Sequence, residues 1–384
     1  MISRFLLALG LAALMVVTGV SSFMYLQGRQ SRVAAPPQKP TQASPSPDAF
    51  SLPGTLYFAQ AGALYSFSAG RFHQLTPENG WMMPALYPDG SSLLAVRRDA
   101  AFSDVFSLTR FGNVTAALTN NVAQGYCRDD IGKNQWSFYP RLSPDQHTLW
   151  MSYDGPKYVC LGFEDFNVNL SVWAVPLGGS IGQGHKWTTP NDYTGGDMQP
   201  VPLPSGGVIY TKYSYDSDGN RVGQLWYTDR AGSFGRELTS QSADCAQPVL
   251  SPDGGNIAMI CTYGKQLSYL TIASWNGSSL GSLQTVISDQ LVAQPIWAPD
   301  GSGIAYLAPS ASDGPFQLWF LPRNAYHPPP PSPIPTPLPT PGGPYTGQLP
   351  TPTPSPAPPP VVIKPIQVTK NLGLDATSPM AWAA

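Results

Sequence analysis

Four cysteines (Cys127, Cys160, Cys245 and Cys261), four histidines and a thin scatter of carboxylates are the side chains through which this 384-residue chain could do chemistry. Four cysteines allow three pairings. Cys245 and Cys261 stand about equally far on either side of Asp253-Gly254, a turn dipeptide, and Cys127 and Cys160 flank an equivalent hairpin. Each pair is therefore expected to meet across its own hairpin as a disulfide, contributing about 3 kcal/mol. Two stretches, "NNVAQGYCRDDIGKNQWSFYP" and "DGPKYVCLGFEDFNVNL", gather Arg128, Asp129, Asp130, Lys133, Glu164 and Asp165 beside Tyr126, Trp136, Phe163 and Phe166. In a chain otherwise short of charge, such a patch suits recognition of a protein, peptide or glycan ligand. The plain alternative is aromatics that cover the fold and charges that solvate it. Asp197, Asp244 and Asp375 each precede a proline by three or four residues. Brought together they could hold a cation or a basic peptide, although carboxylates in such turns more often accept from neighbouring backbone amides.

His73, His147, His185 and His327 lie far apart, with no zinc spacing. "DSDGN" at Asp216 lacks the later ligands of a calcium loop and reads as a turn. No phosphate loop or dinucleotide fingerprint occurs, so no cofactor, metal or catalytic residue is expected. A carboxylate pair for glycoside cleavage, assembled from distant parts of the chain, would leave no spacing signal.

The elements that position these residues are repeats. "PVLSPDGGNIAMICTY", starting at Pro248, runs an apolar stretch into Pro-Asp-Gly and a second one out, which is hairpin grammar. Approximate copies are "MPALYPDGSSLLAVRR", "YPRLSPDQHTLWMSY", "QPVPLPSGGVIYTKY", "QPIWAPDGSGIAYLA" and the broken "SPMAWAA" at the C-terminus. Their leading prolines are Pro84, Pro140, Pro200, Pro248, Pro295 and Pro379, at intervals of 56, 60, 48, 47 and 84 residues. Each hairpin is followed by an alternating aromatic run, such as "DVFSLT", "SVWAVP" or "QLWFLP", and several of these by a short edge-like piece, such as "AALT" or "RELT". Four strands in each of six units predict an all-β, six-bladed β-propeller. The first folded stretch, "GTLYFAQAGALYSFSAGRFHQLT", lacks a leading strand, and the chain ends on a leading strand with nothing after it. Residues 376–384 are therefore expected to pair with residues 54–60 and close the ring.

The repeats "QPVLSPDGGNIAM" followed by "LSYLTI", and "QPIWAPDGSGIAYLA" followed by "QLWFLP", resemble those of the TolB-like propellers of bacterial envelopes. The resemblance covers residues 54–384 apart from one insertion. The family's namesake carries a small α/β domain ahead of its propeller and works in an envelope complex with a peptidoglycan-associated lipoprotein. Here an apolar segment and a linker occupy that place, so the resemblance implies the fold without that role. Related propellers are fused to serine peptidases, but no Gly-x-Ser-x-Gly elbow or hydrolase domain follows here.

After residues 1–4 comes an uncharged run, Phe5–Leu26, long enough to cross a bilayer core and read as a signal anchor. Val20-Ser21-Ser22 would serve as a cleavage site if the segment is instead removed and the protein secreted. Residues 27–53 form a Pro-rich linker, and residues 328–360 a second Pro-rich tract carrying 17 prolines. That tract falls between the third and fourth strands of the fifth blade, so it is expected to project as a disordered loop. Charged residues are only 11% and the net charge is −2, which excludes the basic stripe a nucleic-acid partner needs.

If first strands run from face T to face B, both cysteine pairs and both charged insertions lie at T, while the linker and the Pro-rich tract enter at B. These features predict a single-pass, membrane-anchored, monomeric propeller on the extracytoplasmic side. It would act as a non-catalytic binding or scaffolding module for an unidentified protein, peptide or glycan. A propeller glycoside hydrolase or lyase, and a structural cell-surface protein with Pro-rich wall spacers, are the alternatives; fold alone does not choose among them.

Overall fold

The computed structural model describes residues 51–123, 133–155, 169–265, 267–327 and 364–384, all within one compact unit, Phe50–Ala384. Among them lie twenty-four strands. The chain opens with β1 (Thr55–Gln60), β2 (Ala63–Ser68) and β3 (Arg71–Gln74). Blade 1 follows as β4 (Trp81–Leu86), β5 (Ser92–Arg98), β6 (Ser103–Thr109) and β7 (Val114–Ala117). Blade 2 is β8 (Ser137–Leu142), β9 (Thr148–Tyr153), β10 (Ser171–Pro176) and β11 (His185–Lys186). Blade 3 is β12 (Asp197–Pro202), β13 (Val208–Tyr215), β14 (Arg221–Thr228) and β15 (Arg236–Glu237). Blade 4 is β16 (Cys245–Leu250), β17 (Asn256–Cys261), β18 (Tyr269–Ser274) and β19 (Gln284–Ile287). Blade 5 is β20 (Ala293–Trp297), β21 (Gly303–Pro309), β22 (Phe316–Pro322) and β23 (Ile366–Gln367). The last strand, β24 (Ala381–Ala383), joins β1, β2 and β3 to make blade 6.

Each blade is an antiparallel four-stranded sheet, in sequence order from the centre outward in all but blade 6, where β24 precedes β1, β2 and β3, and the six form a closed cycle. The protein is thus the all-β, six-bladed propeller that the repeat predicts. The termini close it as expected: Thr55, Leu56 and Tyr57 pair with Ala383, Trp382 and Ala381. The indole N–H of Trp382 donates to the Pro53 carbonyl at 2.7 Å. Glycine suits position 54 because φ is +68° and a side chain would collide with the Ala383 carbonyl.

Blades have two buried faces, so their central strands are nearly unbroken apolar runs whose alternate residues serve two different cores. Leu56 and Phe58 face blade 5, among Leu307, Phe320 and Trp382, whereas Tyr57 and Ala59 face blade 1, against Trp81 and Leu93. Leu94 and Val96 pack on Met151 and Tyr153 of blade 2, and Trp150 and Val172 on Val208 and Tyr210 of blade 3. Ile209 and Leu225 meet Ile257 and Met259, and Ile260 and Ile272 meet Ile304 and Tyr306. The core is therefore six wedges between neighbouring sheets rather than one centre.

The hairpin turns hold as read. Asp89, Asp145, Asp253 and Asp300 each accept the backbone N–H two residues on, at 2.9 to 3.1 Å. The short "LT" pieces have a use that their composition does not reveal. The hydroxyls of Thr76, Thr119, Thr188, Thr239 and Thr369 each accept a backbone N–H from the third strand of their own blade, at 2.9 to 3.0 Å. That bond satisfies an amide where the narrow fourth strand has run out.

At the centre, β4, β8, β12, β16 and β20 share a bulge at their leading proline. Met83 with Pro84, Tyr139 with Pro140, Gln199 with Pro200, Gln247 with Pro248 and Gln294 with Pro295 each set two residues against one on the neighbouring strand. Proline suits the second place because the ladder loses no donor there. The first residue takes φ between 50° and 59°, a conformation that its own side chain and the following proline both disfavour. In four of the five the freed N–H turns to the blade before. Met83 donates to Ser378 Oγ at 2.7 Å, Tyr139 to Met83 Sδ at 3.3 Å, Gln247 to Gln199 Oε1 at 2.9 Å and Gln294 to Gln247 Oε1 at 2.6 Å. The Gln294 amide carries the belt on by donating to the Ala376 carbonyl at 2.9 Å.

Removing residues 376–384 takes away β24, the Ser378 acceptor and the buried Trp382 together. The expected result is a loss of more than about 3 kcal/mol and a single lowered unfolding transition, against near silence for Phe234→Ser, whose side chain is 99% exposed. Thermal and urea unfolding measure both; a truncated chain that melts like the intact one would mean that the termini do not close the ring.

Candidate functional site

The first strands line an axial channel whose waist is the belt of pre-proline residues, about 20 Å³ of free space among Tyr139, Gln199, Gln247, Gln294, Pro200, Pro248 and Pro295. Above it, toward face T, blades 2 and 3 build an aromatic and cationic mouth. Tyr139 stands at the waist, and burial pushes its phenol up to about 12, with Tyr213 and Asp375 close enough to add to the rise. Tyr213 lies under the Arg221 guanidinium, 4.6 Å from the ring centroid, and burial raises its phenol too. β13 and β14 run eight residues each, so blade 3 extends past its neighbours at T and carries Tyr215 out to 48% exposure. The Tyr215 hydroxyl donates to the carbonyl of Tyr193, itself 76% exposed, at 2.8 Å. The Gln241 amide fixes the Tyr215 carbonyl from the next blade at 2.9 Å.

Trp136 joins this rim from blade 2. Its ring stacks on Phe138 with centroids 5.9 Å apart, the Arg98 guanidinium sits 5.7 Å from the ring centroid, and the Trp136 backbone N–H donates to Asp154 Oδ1 at 2.9 Å. Lys133 is half-buried nearby in the chain. The other members of the charged and aromatic patch, Tyr126, Arg128, Asp129, Asp130, Phe163, Glu164, Asp165 and Phe166, lie outside the described residues, as do Cys127 and Cys160. Cys245 and Cys261 are cross-strand partners, and a disulfide joins them in the wedge between blades 3 and 4.

The three aspartates singled out at the mouth are each engaged within the fold. Asp197 is fully buried with Oδ1 3.5 Å from the Lys212 ammonium, and burial outweighs that cation to hold its carboxyl above the usual range. Asp244, at φ +47°, accepts the Gly223 N–H at 2.6 Å on one oxygen and the Thr262 hydroxyl on the other. Asp375 accepts the Thr377 N–H and hydroxyl at 2.9 and 2.7 Å. Asp216 accepts from the amides of Asp218 and Asn220, which is the turn expected of "DSDGN". All four histidines are exposed, and among the described residues no three of His, Cys, Asp and Glu gather as metal ligands.

Sequence spacing did not single out Tyr193, Tyr213, Tyr215 and Arg221. The available signal was "YTKYSY", whose alternation sets Tyr213 and Tyr215 on one side of a strand two residues longer than the repeat requires.

Neither a protein-family model nor a curated protein matches the sequence. Solved structures do match in shape. TolB from Acinetobacter baumannii superposes with a TM-score of 0.52 at 16% identity, over 71% of this chain and 62% of that one. The fold is that of a TolB-like propeller. A protein of Agrobacterium tumefaciens assigned as TolB gives 0.47 at 14% identity, over 71% of this chain and 85% of that one. A puromycin-hydrolysing peptidase of Mycobacterium tuberculosis gives 0.44 at 13%, over 75% and 48%. The TolB-like propeller here spans 62% of the length of the A. baumannii protein, and at these identities the likeness is one of fold.

Because both Asp244 oxygens already accept hydrogen bonds, millimolar calcium is expected to leave the melting temperature of the TolB-like propeller unchanged. Asp244→Ala should destabilise it by about 2 kcal/mol and Asp244→Asn by less than about 1, since Asn keeps an acceptor and tolerates positive φ. Differential scanning calorimetry reads all three; a calcium-dependent rise that Asp244→Asn removes would make the mouth a cation site instead.

Proposed function

We propose that the chain is an exported propeller, held at a membrane by Phe5–Leu26, that acts as a non-catalytic binding or scaffolding module through face T. The observation that carries this reading is the lip of blade 3. Tyr193 and Tyr215 are exposed yet tied to each other, beside an arginine-stacked Tyr213, with Trp136 on the neighbouring blade. Tyrosine, tryptophan and arginine on a rigid frame are the residues that dominate binding energy at protein interfaces. Two further points support it. The aspartates around the mouth accept hydrogen bonds from their own fold, which leaves them poorly placed as an acid and base pair. The chain also enters β1, the second strand of its blade, from face B, so T is the end away from residue 51. The ligand class this mouth suits is a protein, peptide or glycan presented in the cell envelope.

A photoreactive residue at position 193 or 215 of the full-length chain, expressed in its own envelope, is expected to yield a discrete adduct. The same residue at position 111 or 234, exposed on face B, should not. With the adduct partner purified, Tyr215→Ala should weaken binding at least about tenfold. Adducts at 111 and 234 alone would move the site to face B, and turnover of glycans or peptides by the purified chain would overturn the non-catalytic reading.

A further inference from the structure

Below the waist the channel widens on face B into a chamber of about 420 Å³. All six first strands contribute to it, and its walls are apolar: Val201, Val249, Leu250, Ile296, Trp297 and Trp382 among them. One cation stands in this setting. Arg141, on β8 just past the bulge, lines both the waist and the chamber, so it stands where the two meet. It takes one bond from the protein, donating to the Pro140 carbonyl at 3.1 Å. No residue lining the waist or the chamber is acidic. Burial alone lowers the guanidinium to about 10, with no carboxylate acting in the other direction.

Arg141 is half-buried in an apolar wall, so its guanidinium keeps only part of its hydration and most of its donors lack a protein partner, which a bound anion would supply. The remaining N–H groups of a guanidinium form a planar fork that fits a carboxylate with two parallel bonds. A single cation compensates a single negative charge, which disfavours a phosphate dianion in so apolar a space. The volume falls within the range of small-molecule sites, whose usual form is apolar walls with a few fixed polar groups.

We propose that the chamber on face B binds a monocarboxylate carried on an apolar body, its carboxylate against Arg141 and its apolar part among Ile296, Trp297 and Trp382. This site is separate from the mouth on face T and does not depend on it. The same chemistry is offered by a free organic acid and by the C-terminus of a peptide ending in an apolar residue.

Titration calorimetry on the full-length chain in nanodiscs tests the proposal with four probes: 3-phenylpropionate, 3-phenylpropionamide, and Ala-Ala-Phe with a free or an amidated C-terminus. At least one acid is expected to bind ten times or more tighter than its amide. A tighter free tripeptide assigns the site to chain ends, and a tighter phenylpropionate to free acids. Arg141→Met should abolish the difference between acid and amide while leaving the melting temperature equal or higher, since it removes a half-buried charge with no acidic partner among the lining residues; Arg141→Lys should retain part of it. Equal binding of acids and amides, no binding of either acid, or undiminished preference in Arg141→Met would each overturn the proposal. A melting temperature several degrees lower in Arg141→Met, with no acid preference in the parent, would make Arg141 a structural residue.

Discussion

At the waist of the channel the main chain of one blade is hydrogen-bonded to a side chain of the blade before it. The Gln294 N–H reaches Gln247, the Gln247 N–H reaches Gln199, the Tyr139 N–H reaches Met83 and the Met83 N–H reaches Ser378. These amides are free to do so because the bulge turns them out of their own sheets, and the bulge exists because proline follows. Met83, Tyr139, Gln199, Gln247 and Gln294 sit at positive φ, at a cost of about 1 to 3 kcal/mol each. Such strain persists where the surroundings leave no alternative. Here those surroundings are a closed ring in which every blade is clamped between two apolar wedges, so strain and closure support each other.

The belt also divides the channel. On one side the Tyr139 phenol, Tyr213 and Arg221 make a mouth rich in groups that suit a macromolecular partner; on the other lies an apolar chamber with a lone guanidinium. Between them the free space is about 20 Å³. The two ends are therefore chemically distinct surfaces of one rigid ring.

Much of this was legible in the sequence. Turn dipeptides and alternating apolar runs are local signals, so the number of blades, the hairpins and the closure by "SPMAWAA" follow from them, as does the meeting of Cys245 with Cys261. The repeated Gln-Pro was equally visible, yet its meaning was not, because a bulge shows itself only against the partner strand and its acceptor lies some fifty residues away. The aspartates were legible only as a choice between a ring of carboxylates and turn residues bonded to their own fold; each accepts from a nearby donor whose identity composition cannot rank: Lys212 for Asp197, Gly223 and Thr262 for Asp244, Thr377 for Asp375. Arg141 reads as an ordinary strand residue until six strands from across the chain enclose it.

The dependence of the ring on its belt can be read amide by amide. Native-state hydrogen exchange of the Met83, Tyr139, Gln247 and Gln294 N–H groups reports the free energy needed to open each. If the belt holds the blades together, all four exchange only through global unfolding, with the same opening free energy as the most protected amides of the central strands β5 and β17. Exchange several kcal/mol easier than global unfolding, with the strands still protected, would show that the blades are held by their apolar wedges alone and that the belt is a consequence of the ring rather than what closes it.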